Sequence, residues 1–151
     1  MNFATMGKAL ASDTGTAMHL TDPNGAPLYA IEGKDGWTVT DDAETKGAQP
    51  CLFYVVGQDS RTYRRRRNEM VDALRKSQQA MKAAQVEQEA KKMVAAGVTG
   101  WSHIPFGEEG EKGALLEFSD ANLLRFLDAY PPAFDQVNEF IGNRANFLQR
   151  G

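Results

Sequence analysis

Five arginines fall within seven residues of this chain, Arg61 and Arg64 to Arg67. A guanidinium group stays charged and presents a planar fork of donors that matches carboxylate or phosphate oxygens, so such a run asks for an anionic counterpart. These arginines stand near the start of a helix-forming segment, where the macrodipole disfavours cations, and helix stability therefore does not account for them. Four consecutive helical residues splay over about 300°, which suits neither a one-sided DNA-reading face nor a single compact patch. Three readings follow, in falling order: an acidic protein surface, including the chain's own acidic remainder; a solvated face; and nucleic acid.

The other reactive side chains form no constellation. His19 and His103 are the two histidines, and neither stands at a metal-ligand spacing or beside a nucleophile motif, so both read as surface or packing residues. Cys51 is the single cysteine, which excludes an intrachain disulfide and a thiolate cluster; in Pro50-Cys51-Leu52-Phe53-Tyr54-Val55-Val56 it reads as a buried, inert thiol. Fourteen glycines occur without a Walker or dinucleotide-binding pattern. The loop Gly107 to Gly113 lacks the alternating oxygen ligands of a calcium loop and reads as solvated. No catalytic residue, metal site or cofactor is assigned.

Stepping from these residues to what must position them, 151 residues with 42% hydrophobic content suit one domain with a modest core. No run nears the roughly 18 apolar residues of a membrane span, and the start lacks a signal-peptide pattern, so a cytoplasmic protein without membrane contact is expected. The net charge of −3 is segregated: residues 58–96 hold ten Lys/Arg against five Asp/Glu, and the rest holds seven against fifteen.

The expected class is α+β: a small N-terminal antiparallel β-sheet, a long central α-helix and a C-terminal helical pair. Residues 1–16 read as a flexible arm and 17–57 as the β part. Within the latter, the turn Asp22-Pro23-Asn24-Gly25 joins strands at Ala17 to Leu20 and Pro27 to Ile31, and two more strands lie at Gly36 to Thr40 and Cys51 to Val56. Residues 58–97 read as one basic helix, since no Gly or Pro occurs from Gln58 to Ala96; unbroken, it is roughly 58 Å long. Asp59 or Ser60 is its N-cap and Gly97 its stop.

Its apolar residues form two stripes, Tyr63, Met70, Leu74 and Met81, then Val86, Ala90, Met93 and Val94. The step between them turns the face by roughly 140°, so the helix changes partner or bends near residues 82–85. Acid-first pairs Asp72 with Lys76 and Glu87 with Lys91 support an exposed helix. Residues 98–151 read as a helical module: Ser119 caps Asp120 to Ala129, and Pro132 opens a helix carrying Phe134, Val137, Phe140, Ile141, Phe147 and Leu148, the pair packing under Trp101. So many aromatic residues exceed what so small a core covers, and some apolar surface is expected to meet a partner.

One resemblance enters here. Gly57-Gln58-Asp59-Ser60 followed by Tyr63-Arg64 and a basic helix, Gly100-Trp101, Phe118-Ser119 with Asn122 and Leu123, Pro131, Gln136-Val137, Phe140-Ile141 and Arg144-Ala145-Asn146-Phe147 resemble the tail assembly chaperones of tailed bacteriophages and prophages over roughly residues 17–148. That resemblance implies a non-enzymatic protein of the host bacterial cytoplasm that binds the long tape-measure protein and recruits tail-tube subunits, with homo-oligomers possible. It supplies no catalytic residues. The partner-binding candidates are Tyr63, Arg64, Arg65, Arg66, Arg67, Met70, Leu74, Met81, Trp101, Phe140, Arg144 and Phe147. A structural virion protein of the head–tail junction or tail is the alternative, and a nucleic-acid-binding accessory protein a more distant one.

Overall fold

A computed structural model describes residues 2–76, 83–107 and 112–148. The fold is α+β, as expected, but its strands and helices are distributed differently. The middle of the molecule is β5 (Leu52–Val55), paired antiparallel with β1 (Thr16–His19) on one side and β6 (Val98–Ser102) on the other. Alternate residues of β5 point inward, and Phe53 and Val55 are fully buried, as the two-residue period requires. A second sheet has the order β3-β2-β4, from β2 (Tyr29–Gly33), β3 (Gly36–Thr40) and β4 (Gln49–Pro50). A third is the short ribbon of β7 (Pro105–Phe106) and β8 (Ala114–Leu115).

The single N-terminal sheet is therefore replaced by small sheets, one of which includes a strand from the C-terminal third. The turn at residues 22–25 forms, with the Asp22 carboxylate accepting from Asn24 and Ala26 N–H and Gly25 at φ 90°. The strands it joins share only one bridge, Thr21 to Pro27, and then part. Cys51 stands where they part: Leu20 N–H donates to its carbonyl at 3.0 Å, and its own N–H donates to Leu28 at 3.1 Å. One continuous apolar run, Gln49 to Val55, thus serves both sheets, with β4 pairing β2 and β5 pairing β1.

The expected long helix is two helices, α2 (Arg61–Lys76) and α3 (Ala83–Ala95), which pack against each other. Val56 N–H donates to Gly97 at 2.8 Å, so the segment 57–96 begins and ends at one place and must double back, which a rod of roughly 58 Å cannot do. Met81 and Lys82, where the change of apolar face is expected to begin, lie outside the described residues. Val86 is exposed, whereas Met93 and Val94, one to two turns before the strand, are buried. Ser60 is the N-cap, its buried hydroxyl accepting from Tyr63 N–H at 3.2 Å, and Asp13 accepts from Thr62 N–H at 3.1 Å. Gly97 is the stop; a β-carbon there would lie 2.5 Å from Ile141 Cδ1, so close packing favours glycine at this position.

The C-terminal helices match the sequence more closely. Ser119 caps α4 (Asp120–Ala129) by accepting from Asn122 N–H at 3.1 Å, and α5 (Pro131–Gly142) follows with prolines in its first turn, one residue earlier than expected. The final helix breaks at Asn143, and α6 (Ala145–Leu148) carries Phe147 inward. Gln136 on α5 clamps Thr21, accepting from its N–H at 3.0 Å and donating to its carbonyl at 2.9 Å. The residues expected to form a loose arm instead include α1 (Phe3–Leu10), capped by Asn2 and packed on α6. Among the described residues no helix is long and apolar enough to cross a membrane.

Phe53 is the central packing residue, with ring centroids 5.5 Å from Trp101 and 5.6 Å from Phe126. Phe53→Ala is expected to cost about 3–5 kcal/mol in urea denaturation, while Val86→Ala on the exposed face of α3 changes stability by no more than about 0.5 kcal/mol.

Candidate partner-binding surface

Arg64, Arg65, Arg66 and Arg67 are all exposed on the first two turns of α2. None of them, nor Arg61, forms an ion pair or a side-chain hydrogen bond among the described residues. Among the described residues, no carboxylate of the chain's acidic remainder forms an ion pair with the run. Helix geometry divides the run. Arg61, Arg64 and Arg65 line a groove of about 480 Å³ beside the end of α1, together with Asn68, Glu69 and Asp72. Arg66 turns to the other flank, where it lines a smaller recess with Lys92 and Asp120.

Arg144 has an internal role. Its guanidinium holds Asp59 in a two-pronged contact, with Nε at 2.6 Å and Nη2 at 3.0 Å. The hydrogen bonds from Arg144 keep the Asp59 carboxyl below its usual range; desolvation opposes them, and the charges of Arg144, Arg64 and Arg67 add to the lowering. Both partners remain in contact with water, so the pair orients more than it stabilises. The neighbouring residues complete a seam: Gly57 leaves room for the Phe147 ring, which would lie 3.0 Å from a β-carbon there, and Gln58 donates from its backbone to Ile141 and from its side chain to Gly142.

The remaining candidates divide similarly. Tyr63 and Phe147 are buried, so neither offers its ring to a partner. Trp101 is half-buried; its indole N–H donates to Leu116 at 2.7 Å, and its ring meets Phe53, Phe118 and Phe126. Phe140 is half-buried edge-on to Phe147 at 5.4 Å. Met70 and Leu74 belong to α2. Met81 lies outside the described residues; among the candidates whose side chains are described, Arg64 to Arg67 are exposed and make no ion pair within the chain. Sequence reasoning missed α1, whose C-cap residue Ala11 borders the groove; its signal was the Asn2 cap followed by Phe3, Met6 and Leu10 at helical spacing.

Among the described residues, the two histidines each have a local partner. His19 Nε2 lies 2.7 Å from the Leu28 carbonyl, and its ring packs edge-on to Tyr29. His103 has φ 57°, in the left-handed region, and turns the chain from β6 to β7 with its Nδ1 2.8 Å from Ser102 Oγ. Among the described residues no group of His, Cys, Asp and Glu could hold a metal ion. The expected Glu87–Lys91 pair is replaced by one from Lys91 to Asp128, which ties α3 to α4, and Lys92 pairs with Glu89 at 3.5 Å. No family model, curated protein or solved structure matches the chain.

Two outcomes follow from these environments. Burial pushes the Cys51 thiol up to about 11. Alkylation at pH 8 is then expected to run roughly 100-fold slower than for an ordinary thiol from ionisation alone, and to keep rising about tenfold per pH unit up to pH 10. Asp59, whose folded value is lowered, contributes stability above the normal carboxylate range and loses it as pH falls through the lowered value. Arg144→Ala is expected to return the Asp59 carbon resonance to an ordinary titration midpoint by NMR.

Proposed function

We propose that this chain is a non-enzymatic tail assembly chaperone of a tailed bacteriophage or prophage, working in the host bacterial cytoplasm by binding the tape-measure protein, tail-tube subunits or both. The single observation that carries the binding part of this reading is the set of five exposed arginines on α2, none of which forms an ion pair with a described carboxylate. Cations at a helix N-terminus oppose the macrodipole by about 0.3–1 kcal/mol each at low salt, so their presence there is explained by an acidic partner better than by the helix itself. The phage part rests on the resemblance of residues 57–60, 100–101, 118–123 and 131–147 to that family.

Support for protein rather than nucleic acid comes from the division of the run. A duplex-binding helix sets its basic residues along one face, whereas here Arg66 faces a different flank from Arg61, Arg64 and Arg65, and Asp59, Glu69 and Asp72 share the groove of the latter. An acidic partner with hydrogen-bonding side chains meets such a mixed surface better than a uniformly charged backbone does.

Co-expression with the neighbouring late genes, followed by pull-down on a tagged copy of this chain, tests the reading. Tape-measure or tube protein is expected in the eluate, and Arg64→Gln/Arg65→Gln is expected to lose it while remaining folded, as circular dichroism checks. Recovery of neither protein by the native chain overturns the chaperone assignment. Presence of the chain in purified particles favours the structural virion protein instead, and steeply salt-dependent DNA binding that is lost in the arginine variant favours the nucleic-acid reading.

A further inference from the structure

We infer, resting on the reading that the arginines meet an acidic protein surface, that they also pair with a second copy of this chain. A two-fold axis sets the carboxylates of each copy's α5 on the arginines of the other copy's α2.

The acidic half of the contact is the outer face of α5. Asp135, Asn138, Glu139 and Gly142 recur at spacings of three and four, so they share one side of the helix, and all four are exposed. The helix holds no Lys or Arg, and no cation among the described residues pairs with Asp135 or Glu139. A β-carbon at Gly142 would meet nothing within 4 Å, so the end of this face is open to an approaching helix.

The basic half matches it in spacing. Arg61 and Arg65 stand four residues apart, as Asp135 and Glu139 do, and four residues of helix rise about 6 Å in either case. Two such helices laid side by side form both ion pairs at once. Arg64 to Glu69 are six consecutive exposed residues, more than one full turn, so every side of α2 just past Tyr63 is open to a second molecule.

Within one copy the two halves adjoin where α5 ends and α2 begins. Gln58 N–H donates to Ile141 at 3.3 Å, its side chain donates to Gly142 at 3.1 Å, and Arg144 holds Asp59. Even so, Arg61 and Arg64 to Arg67 make no ion pair with the carboxylates of their own α5. A surface that is basic on one side of a seam and acidic on the other is self-complementary about a two-fold axis through that seam, and the charges therefore select the chain itself. Exposed ion pairs are screened by salt, so the dimer dissociates on dilution and competes with a tail partner for the arginines without excluding it.

Sedimentation of the full-length chain over a concentration series is the test. A dimer is expected at about 50 mM salt, with its dissociation constant raised about tenfold or more at about 500 mM. Arg61→Glu/Arg65→Glu and Asp135→Lys/Glu139→Lys are each expected to sediment as monomers with native circular dichroism. An equimolar mixture of the two is expected to restore the dimer, since each then meets the charge it lacks, and that recovery separates lost contact from lost fold. A native chain that stays monomeric at low salt, association that either variant leaves unchanged, or a mixture that stays monomeric overturns the inference. A monomeric chain that still captures tail protein leaves the proposed function standing, and a dimer whose chain captures none leaves this pairing standing without it.

Discussion

Everything else in this fold is arranged around the pairing of β5 on both of its edges. At its start, Cys51 exchanges backbone hydrogen bonds with Leu20 and Leu28 and so joins the two three-stranded sheets. At its end, Val56 meets Gly97, which brings the two ends of a 40-residue excursion together and forces α2 and α3 to fold back on each other. Between them, Phe53 is the floor on which Trp101 and Phe126 pack. Hydrogen bonding on both edges and complete burial of alternate side chains leave this strand no other register, since a one-residue slip would turn Phe53 and Val55 out of the core.

The same constraint sets the position of the arginines. Because α2 starts just after β5 and is held at its first turn by Ser60, Asp13 and the Asp59–Arg144 contact, its start is tied to the segment that follows α1 and to the break between α5 and α6. The arginines are thus displayed from a rigid helix end rather than a loop, with no described carboxylate in contact. Their mutual repulsion and the macrodipole both oppose the folded state, which leaves an external counter-charge as the economical explanation.

How much of this was legible in the sequence depended on the range of the interactions. Local signals read well: the Ser119 cap, the Asp22 turn, the prolines opening α5 and the Gly97 stop are each decided within a few residues. What was lost was non-local. Val98 to Ser102 has only five residues, two of them Gly100 and Ser102, and nothing local marks it as the partner of β5. Missing that strand turned a helical hairpin into one long helix, although the rotation of the apolar stripe after Met81 already recorded a change of surroundings. The residues on which the proposed likeness to tail chaperones rests were partly misread for the same reason. Gly57 to Ser60, Arg144 and Phe147 lie some 85 positions apart in sequence and form one seam in space, so much of the resemblance describes how the fold closes rather than what it binds.

The central claim is that this chain holds a protein partner against the N-terminal half of α2. Hydrogen–deuterium exchange of the chain alone and in the complex recovered by co-expression tests it most directly. The account predicts slowed exchange at residues 61–68 and along α1, with the C-terminal helices α4 and α5 unchanged. Unaltered exchange at residues 61–68 in a complex that is otherwise intact would contradict it.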